Sequence, residues 1–242
     1  MKRLLFNLFI ICLLIVASCN KPNEKSFYVY PQSKIWFHGA NDTIVAQQKS
    51  LLFSGLELDV NYSEFQDELF IGHELYDTIN RITLRQWFDA LDAPQNNHYW
   101  VDMKNLTPTN ALAISNIIGS IANDFGVAEQ LLVEHTDENA LKVLKDNGLH
   151  VILWVENTYW THTPDKDWKR STQRQIDLLH PDALSCEYRM YPLLTQSFPK
   201  QNIHFWDTPK QPTEENIVFT RTLCRESNVK VVLVDYPEPI EY

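Results

Sequence analysis

The stretch Leu56-Glu57-Leu58-Asp59-Val60 alternates apolar and acidic side chains. In a β-strand successive side chains point to opposite faces, so the two acids share one face and the three apolar residues share the other. Two carboxylates on a buried face repel each other and lose hydration unless a cation lies between them. The stretch therefore predicts a strand that packs against helices on its apolar side and turns its acids into a barrel interior.

Further apolar runs of strand length recur along the chain. They are Ile35–Phe37, Tyr99–Met103, Leu131–Glu134, Val151–Val155, Ala183–Glu187, Ile203–Trp206 and Val229–Val234. Most are continuously hydrophobic, which is typical of parallel strands buried on both faces. Eight strands separated by amphipathic segments predict a single (β/α)8 TIM-type barrel. A doubly wound open sheet has a similar alternation, but no glycine-rich nucleotide-binding loop follows the first strand.

Capping residues mark several helix boundaries. Helices are predicted after Asp42, Asp137 and Thr213, whose side-chain oxygens can accept hydrogen bonds from the first backbone N–H groups of a helix. Two more helices are predicted over residues 111–122 and 173–179. The segment 189–201 has the weakest helical pattern, so we expect a short helix or none there.

The chain begins with the pattern of an export signal. Lys2 and Arg3 give a short basic start, and the apolar run that follows is too short for a typical membrane span. The ending Val16-Ala17-Ser18-Cys19 resembles the bacterial lipobox, in which the cysteine is lipidated. An ordinary signal peptide and an uncleaved anchor are the alternatives.

This pattern predicts three parts: a lipoprotein signal peptide over residues 1–18, a lipidated cysteine with its tether over residues 19–33, and the barrel over residues 34–242. We expect a lipid-anchored protein of the bacterial cell envelope, at the outer membrane or the periplasmic face. The formal net charge of −10 over the 242 residues argues against nucleic acid as a partner. The oligomeric state is left open.

Cysteine usage is sparse after the signal peptide. Besides Cys19, only Cys186 and Cys224 remain, and neither lies in a spacing typical of a zinc site. They are either buried free thiols or a disulfide formed in an oxidising compartment.

Polar residues stand at the ends of the first three predicted strands, where a barrel enzyme has its active site. His38 ends the first strand, and Asp102 with Lys104 repeats on the third strand the alternation of Glu57 with Asp59. Three converging carboxylates make a hard, oxygen-rich site suited to Mg²⁺ or Ca²⁺. The alternative is a structural network of ion pairs, such as Asp102 with Lys104.

The order of these residues resembles the N-terminal half of the glycerophosphodiester phosphodiesterases, which belong to the PLC-like phosphodiesterase superfamily. The matching elements are His38 with Asn41, the Glu57-x-Asp59 pair, His73, and Asp102-x-Lys104. The same pattern also resembles the spider-venom sphingomyelinase D enzymes and the menorin-like proteins. Near the C-terminus, Trp206 and the run 232–237 resemble the closing strands of the glycerophosphodiesterases.

Two departures from the family pattern are visible. The glycerophosphodiesterases usually have an arginine directly after the first histidine, where it helps to hold phosphate, and this chain has Gly39. The third acid is Asp102 where their pattern has a glutamate, although aspartate fits the venom-enzyme pattern.

The resemblance implies a metal-dependent phosphodiesterase that acts on a glycerophosphodiester or (lyso)phospholipid head group, often through attack by a neighbouring substrate hydroxyl. The implied roles are metal binding by Glu57, Asp59 and Asp102, acid and base catalysis by His38 and His73, and substrate binding by Lys104, Asn41 and Trp206. Asn41 is alternatively expected to orient His38. Further candidates at strand ends are Glu134, His135, Glu156, Asp207 and Asp235, whereas His98, His150, His162, His180 and His204 are interpreted as surface or packing residues.

Two other functions remain open. A catalytically silent, menorin-like barrel would bind a lipid or protein partner at the cell envelope, and the missing arginine favours it. A glycoside hydrolase with Glu57 and Asp102 as its acid pair would leave both histidines of the pattern unexplained.

The lipid anchor can be tested by substitution. In a bacterial host the protein should carry diacylglycerol on Cys19 and partition into detergent, and Cys19→Ala should abolish labelling with radioactive palmitate. A soluble, unlabelled wild-type product would contradict the prediction.

Overall fold

The computed structural model describes residues 27–74, 82–155 and 167–242. Its helices and strands are, in chain order, β1 (Ile35–Phe37), α1 (Thr43–Ser50), β2 (Gly55–Ser63), β3 (Glu68–Ile71), α2 (Leu84–Asp89), β4 (His98–Met103), α3 (Ala111–Phe125), β5 (Leu131–His135), α4 (Glu138–Asp146), β6 (His150–Trp154), α5 (Trp168–Leu179), β7 (Ala183–Glu187), α6 (Tyr191–Ser197), β8 (Ile203–Trp206), α7 (Glu214–Arg225) and β9 (Val229–Val234).

Eight parallel strands close into a barrel, as the sequence predicts. They neighbour one another in the order β1, β2, β4, β5, β6, β7, β8 and β9, and β9 pairs with β1 again. Closure excludes the open-sheet alternative. Within the described residues, no helix is long and apolar enough to cross a membrane.

A hairpin at the carboxyl end of the second strand departs from the predicted pattern. β2 runs on to Ser63, and β3 returns antiparallel to it, from Ser63 opposite Glu68 to Val60 opposite Ile71. Helix α2 was also not predicted, although Thr83 and Gln86 form a reciprocal capping box at its start. Both elements are too short to show a clear periodicity in the sequence.

The predicted helix caps are confirmed. The side chains of Asp42, Asp137 and Thr213 accept backbone N–H hydrogen bonds at the starts of α1, α4 and α7. In the weakly patterned segment, a 3₁₀ turn over Tyr188–Met190 leads into the short helix α6. Cys186 and Cys224 are buried free thiols.

Two apolar clusters organise the core. The larger fills the space between the strands and the helices. The smaller lies inside the barrel and includes Trp36, Trp100, Leu132, Ile152, Ala183, Val231 and Leu233. The inner cluster forms a floor, and the acids of β2 and β4 stand above it towards the carboxyl ends of the strands.

Aromatic and histidine side chains close the opposite end, which we call the bottom of the barrel. The Tyr28 hydroxyl lies 2.6 Å from His98 Nδ1, and the Tyr30 hydroxyl lies 3.0 Å from His204 Nε2. Burial lowers the pKa of His98 to about 4 and that of His204 to about 3, so both rings are neutral at neutral pH. These histidines are packing residues, as interpreted from the sequence.

The floor of the barrel depends on a close approach between two strands, which gives a test of the packing. A Cβ added to Gly55 would lie 2.1 Å from Cδ2 of the fully buried Trp36. Gly55→Ala should therefore lower the free energy of unfolding by on the order of 3 kcal/mol, measured by urea denaturation.

Gly119 provides the matched control, because it lies inside α3 and an added Cβ there meets nothing within 4 Å. Gly119→Ala should raise stability by about 0.5–1 kcal/mol. Equal effects of the two substitutions would contradict the packing of this floor.

Candidate active site

Three acids converge at the carboxyl end of the barrel, which we call its mouth. Asp59 on β2 and Asp102 on β4 are register partners, and Glu57 lies two residues before Asp59 on the same face. Carboxylate oxygens of all three lie within 4.8 Å of one another. Glu57 and Asp59 are buried. The predicted convergence of these three side chains is therefore present in the structure.

The loop after β1 fixes the first acid. The Gly39 N–H donates to Glu57 Oε2 at 2.7 Å, and the Ala40 N–H donates to the Glu57 backbone carbonyl at 2.7 Å. Gly39 has a φ of +71°, a left-handed conformation that favours glycine. Gly39 thus has a structural role, because it turns the backbone towards the carboxylate.

Asn41 fixes the second acid. Its Nδ2 donates to Asp59 Oδ2 at 2.7 Å, and the Asp59 N–H donates to Asn41 Oδ1 at 2.9 Å. This reciprocal pair leaves Asp59 Oδ1 for another partner. The described hydrogen bonds of the Asn41 side chain are thus with Asp59. A hydrogen bond that would orient His38 is not among them.

Lys104 bridges two of the acids. Its Nζ lies 2.6 Å from Asp59 Oδ1 and 2.5 Å from Asp102 Oδ2. Burial lowers the pKa of Lys104, but the charges of Asp102 and Asp59 outweigh it and raise the pKa above its ordinary value. The ion-pair network that the sequence offered as an alternative is therefore formed by the same acids as the candidate metal site.

Two of the acids, Glu57 and Asp102, resist ionisation. Burial raises the pKa of Glu57, and the charge of Asp59 adds to this effect. Burial also raises the pKa of Asp102, while the charges of Lys104 and His73 act in the opposite direction. A divalent cation would favour the ionised carboxylates, since it supplies more positive charge than a single ammonium group.

His38 stands beside this cluster. Its Nδ1 hydrogen-bonds Asp235 Oδ1 at 2.7 Å, and its Nε2 lies 3.8 Å from Glu57 Oε2. Burial lowers the pKa of His38, but the hydrogen bond to Asp235 and the charges of Glu57, Asp235 and Asp59 raise it to about 9. Asp235, a further candidate from its strand-end position, is thus the partner that fixes the His38 ring.

His73 lies at the rim of the mouth. It follows Gly72, whose N–H donates to the Asp59 backbone carbonyl at 3.0 Å. The His73 side chain is 66% exposed and its Nδ1 lies 2.9 Å from Glu74 Oε1. The structure brings His73 near the acids without a direct hydrogen bond between them.

Three further candidates stand at predicted strand ends: Glu134, His135 and Glu156. Glu134 on β5 is the register partner of Asp102, and it accepts hydrogen bonds from Trp100 Nε1 at 3.0 Å and from the Ser185 hydroxyl. His135 Nδ1 accepts a hydrogen bond from the Asp137 N–H, so this contact lies within its own loop. Glu156 lies outside the described residues.

On the far side of the mouth, Arg189 bridges two acids that sequence reasoning did not link. It donates to Glu187 and, at 3.0 Å, to Asp207 Oδ2. Trp206 makes an edge contact with Trp154 at 5.5 Å between ring centroids. Glu187 could have been found from its position at the end of β7, where it alternates with Ser185. Its pairing with Arg189 depends on a loop conformation, which periodicity does not predict.

Comparison with known proteins identifies the fold. No family model matches the sequence, and no curated protein matches it. A solved glycerophosphodiester phosphodiesterase from Parabacteroides distasonis superposes with a TM-score of 0.62 at 13% identity, over 86% of this chain and 95% of that chain. The chain has the fold of the glycerophosphodiester phosphodiesterases.

Two further solved structures show the same likeness. A phosphodiesterase from Oleispira antarctica, in complex with the product sn-glycerol-3-phosphate, has a TM-score of 0.61 at 12% identity, over 86% of this chain and 94% of that chain. A glycerophosphodiester phosphodiesterase from Agrobacterium tumefaciens has a TM-score of 0.58 at 13% identity, over 86% of this chain and 98% of that chain. The resemblance drawn from the sequence motifs is confirmed at the level of the fold.

The acid cluster makes a prediction about stability. Because a cation that binds only the folded state stabilises it by RT ln(1 + [L]/Kd), a hundredfold excess over Kd should add about 2.7 kcal/mol. A thermal melt should shift upwards with Mg²⁺ or Ca²⁺ and return with EDTA. Asp59→Asn should remove this shift, whereas Asp89→Asn, which changes an exposed acid on α2, should keep it.

A different result would identify a structural network. One such result is a wild-type melting temperature that neither cation changes, together with an Asp59→Asn variant that melts at or above the wild-type temperature. The three acids and Lys104 would then act as ion pairs only.

Proposed function

We propose that this chain is a metal-dependent phosphodiesterase that acts on a glycerophosphodiester or (lyso)phospholipid head group with histidine acid–base catalysis. The observation that carries the proposal is the cluster of Glu57, Asp59 and Asp102, whose oxygens lie within 4.8 Å of one another at the mouth of the barrel. His38 and Lys104 flank that cluster. The fold shared with the glycerophosphodiester phosphodiesterases supports the same reaction class.

The donor set fits a hard cation. All three side chains offer carboxylate oxygens, which Mg²⁺ and Ca²⁺ prefer. Glu57 and Asp59 are each fixed by hydrogen bonds, so the main change on binding an ion would be displacement of the Lys104 ammonium from Asp59 or Asp102. When bound, the ion would stabilise negative charge on the phosphate oxygens.

The two histidines would move the protons. Asp235 holds Nδ1 of His38, which leaves Nε2 on the side of Glu57 and the acid cluster. His73 is exposed at the rim of the same mouth. A substrate placed between them would meet one imidazole at its attacking oxygen and the other at its leaving oxygen.

Positive charge for the phosphate would come from lysine. Lys104 has its ammonium between Asp59 and Asp102, so its charge is directed to the cluster. Lys210 adds a second cation on the His38 side, with Nζ 4.0 Å from Asp235 Oδ2. These two residues would compensate for the arginine that Gly39 replaces.

A catalytically silent barrel is the second candidate. It is favoured by Gly39 at the arginine position and by the Lys104 ion pairs, which satisfy two acids without a metal. Such a protein would bind a lipid or protein partner through the mouth. Turnover of a phosphodiester separates the two candidates.

The cellular setting belongs to the same proposal. A lipid on Cys19, which lies outside the described residues, would hold the barrel at the membrane of a bacterial envelope.

Activity can be tested with bis(p-nitrophenyl) phosphate and with glycerophosphocholine. The wild type should hydrolyse both in Mg²⁺ or Ca²⁺ and lose activity in EDTA. His38→Ala should lower kcat/KM by about 10²–10⁴-fold, and Asp235→Asn by a smaller factor, because it removes the partner and leaves the imidazole.

His180→Asn is the matched control, because His180 lies at the opposite end of the barrel with a φ of +48° that asparagine also tolerates. It should keep wild-type activity. Hydrolysis that is absent in the wild type, or insensitive to both EDTA and His38→Ala, would favour the silent barrel.

A further inference from the structure

The described chain begins at the centre of the barrel's bottom. The Tyr28 hydroxyl contacts His98 Nδ1 at 2.6 Å and donates to the Gln130 carbonyl at 3.2 Å, and Tyr28 is only 8% exposed. The Tyr30 hydroxyl contacts His204 Nε2 at 3.0 Å. His98 begins β4 and His204 lies on β8, on the other side of the barrel. The segment therefore crosses the barrel axis and closes this end.

The same segment turns apolar side chains outwards. Phe27 is 87% exposed and Val29 is 73% exposed, in alternation with the two inward tyrosines. Leu51 and Leu52, in the turn between α1 and β2, are exposed at the same end of the barrel. We call these four side chains the bottom apolar surface.

The mouth also exposes an apolar side chain, next to acids. The tip of the β2–β3 hairpin exposes Phe65, but Glu64 and Asp67 flank it, and Glu68 begins β3. Acidic side chains are repelled by an anionic lipid surface. Exposed acids also lie at the bottom, among them Asp124 and Glu129, so charge alone does not distinguish the two ends.

The length of the tether does distinguish the two ends, and it favours the bottom. From Cys19 to Phe27 the chain can span at most about 29 Å when fully extended. A path from the barrel axis to the mouth must run outwards past the strands and one helix layer and then along the helices, on the order of 40 Å or more. A lipid on Cys19 therefore cannot reach the plane of the mouth while Tyr28 stays in place.

We propose that the bottom apolar surface faces the anchoring membrane and that the mouth opens away from it, so that this chain takes water-soluble phosphodiesters and not lipids in its own leaflet. The orientation rests on the proposed lipid anchor, and the substrate class rests also on the proposed phosphodiesterase activity. Phe27 and Val29 lie next to the tether and contact the interface first. The cluster of Glu57, Asp59 and Asp102 stands above the floor of the barrel, away from the bilayer.

Orientation can be measured without any turnover. The lipidated protein is placed in phosphatidylcholine–phosphatidylglycerol vesicles that contain an acceptor dye on the lipid head group. A donor dye is attached either to Asn96→Cys, an exposed site at the bottom, or to Phe65→Cys at the mouth. Cys186 and Cys224 are buried and should not react. Energy transfer should be clearly stronger from position 96 than from position 65.

An inserted linker provides the control. About 40 glycine and serine residues placed after Ser26 allow the barrel to tumble, so the two donors should then report equal transfer. Equal or stronger transfer from position 65 with the native tether would overturn the proposed orientation. Absence of lipid on Cys19 would also overturn the proposed orientation, because the orientation rests on that anchor.

Substrate class is measured on the same vesicles. Glycerophosphocholine in solution should be hydrolysed at least tenfold faster than lysophosphatidylcholine embedded in the same bilayer, and the inserted linker should raise only the second rate. Faster hydrolysis of the embedded lipid with the native tether would overturn the substrate class. If neither compound is hydrolysed, the proposed activity fails, and with it the substrate class, whereas the energy-transfer result still decides the orientation.

Discussion

Repulsion among three carboxylates in the mouth of the barrel is the constraint on which the rest of the site depends. Alternation along β2 and the register between β2 and β4 bring their oxygens within 4.8 Å of one another. Three neighbouring groups offset this charge: the Gly39 N–H, the Asn41 amide and the Lys104 ammonium each bond one or two of the acids. His38 lies beside this cluster, and Asp235 holds its ring. The chemistry that we propose follows from this arrangement, because a site built to hold excess negative charge is suited to bind a cation.

The two ends of the barrel are chemically distinct, and the apolar floor separates them. Above the floor stand Glu57 and Asp102, whose pKa values burial raises, and below it lie neutral histidines that contact Tyr28 and Tyr30. This separation allows one end to carry out chemistry in water while the other end is closed by the start of the chain. An anchored hydrolase of this shape would act on material that diffuses to it.

Sequence alone predicted the eight barrel strands and the face on which the acids lie, because strand periodicity determines which side chains point inwards. Glu57, Asp59 and Asp102 could be placed together since neighbouring parallel strands end at the same edge. The partners of Asn41 and His38 could not be predicted, because they depend on loop conformations and on the closure that brings β9 beside β1. The β2–β3 hairpin and α2 were missed because neither has enough residues to establish a period.

An anomalous difference map from a crystal soaked in Mn²⁺ would show whether the three acids share one divalent cation. We expect a single strong peak at the barrel mouth, with oxygens of Glu57, Asp59 and Asp102 at about 2–2.6 Å and the Lys104 ammonium displaced from at least one of its two acids. A map without a peak at that position, with Lys104 still bridging Asp59 and Asp102, would contradict this expectation.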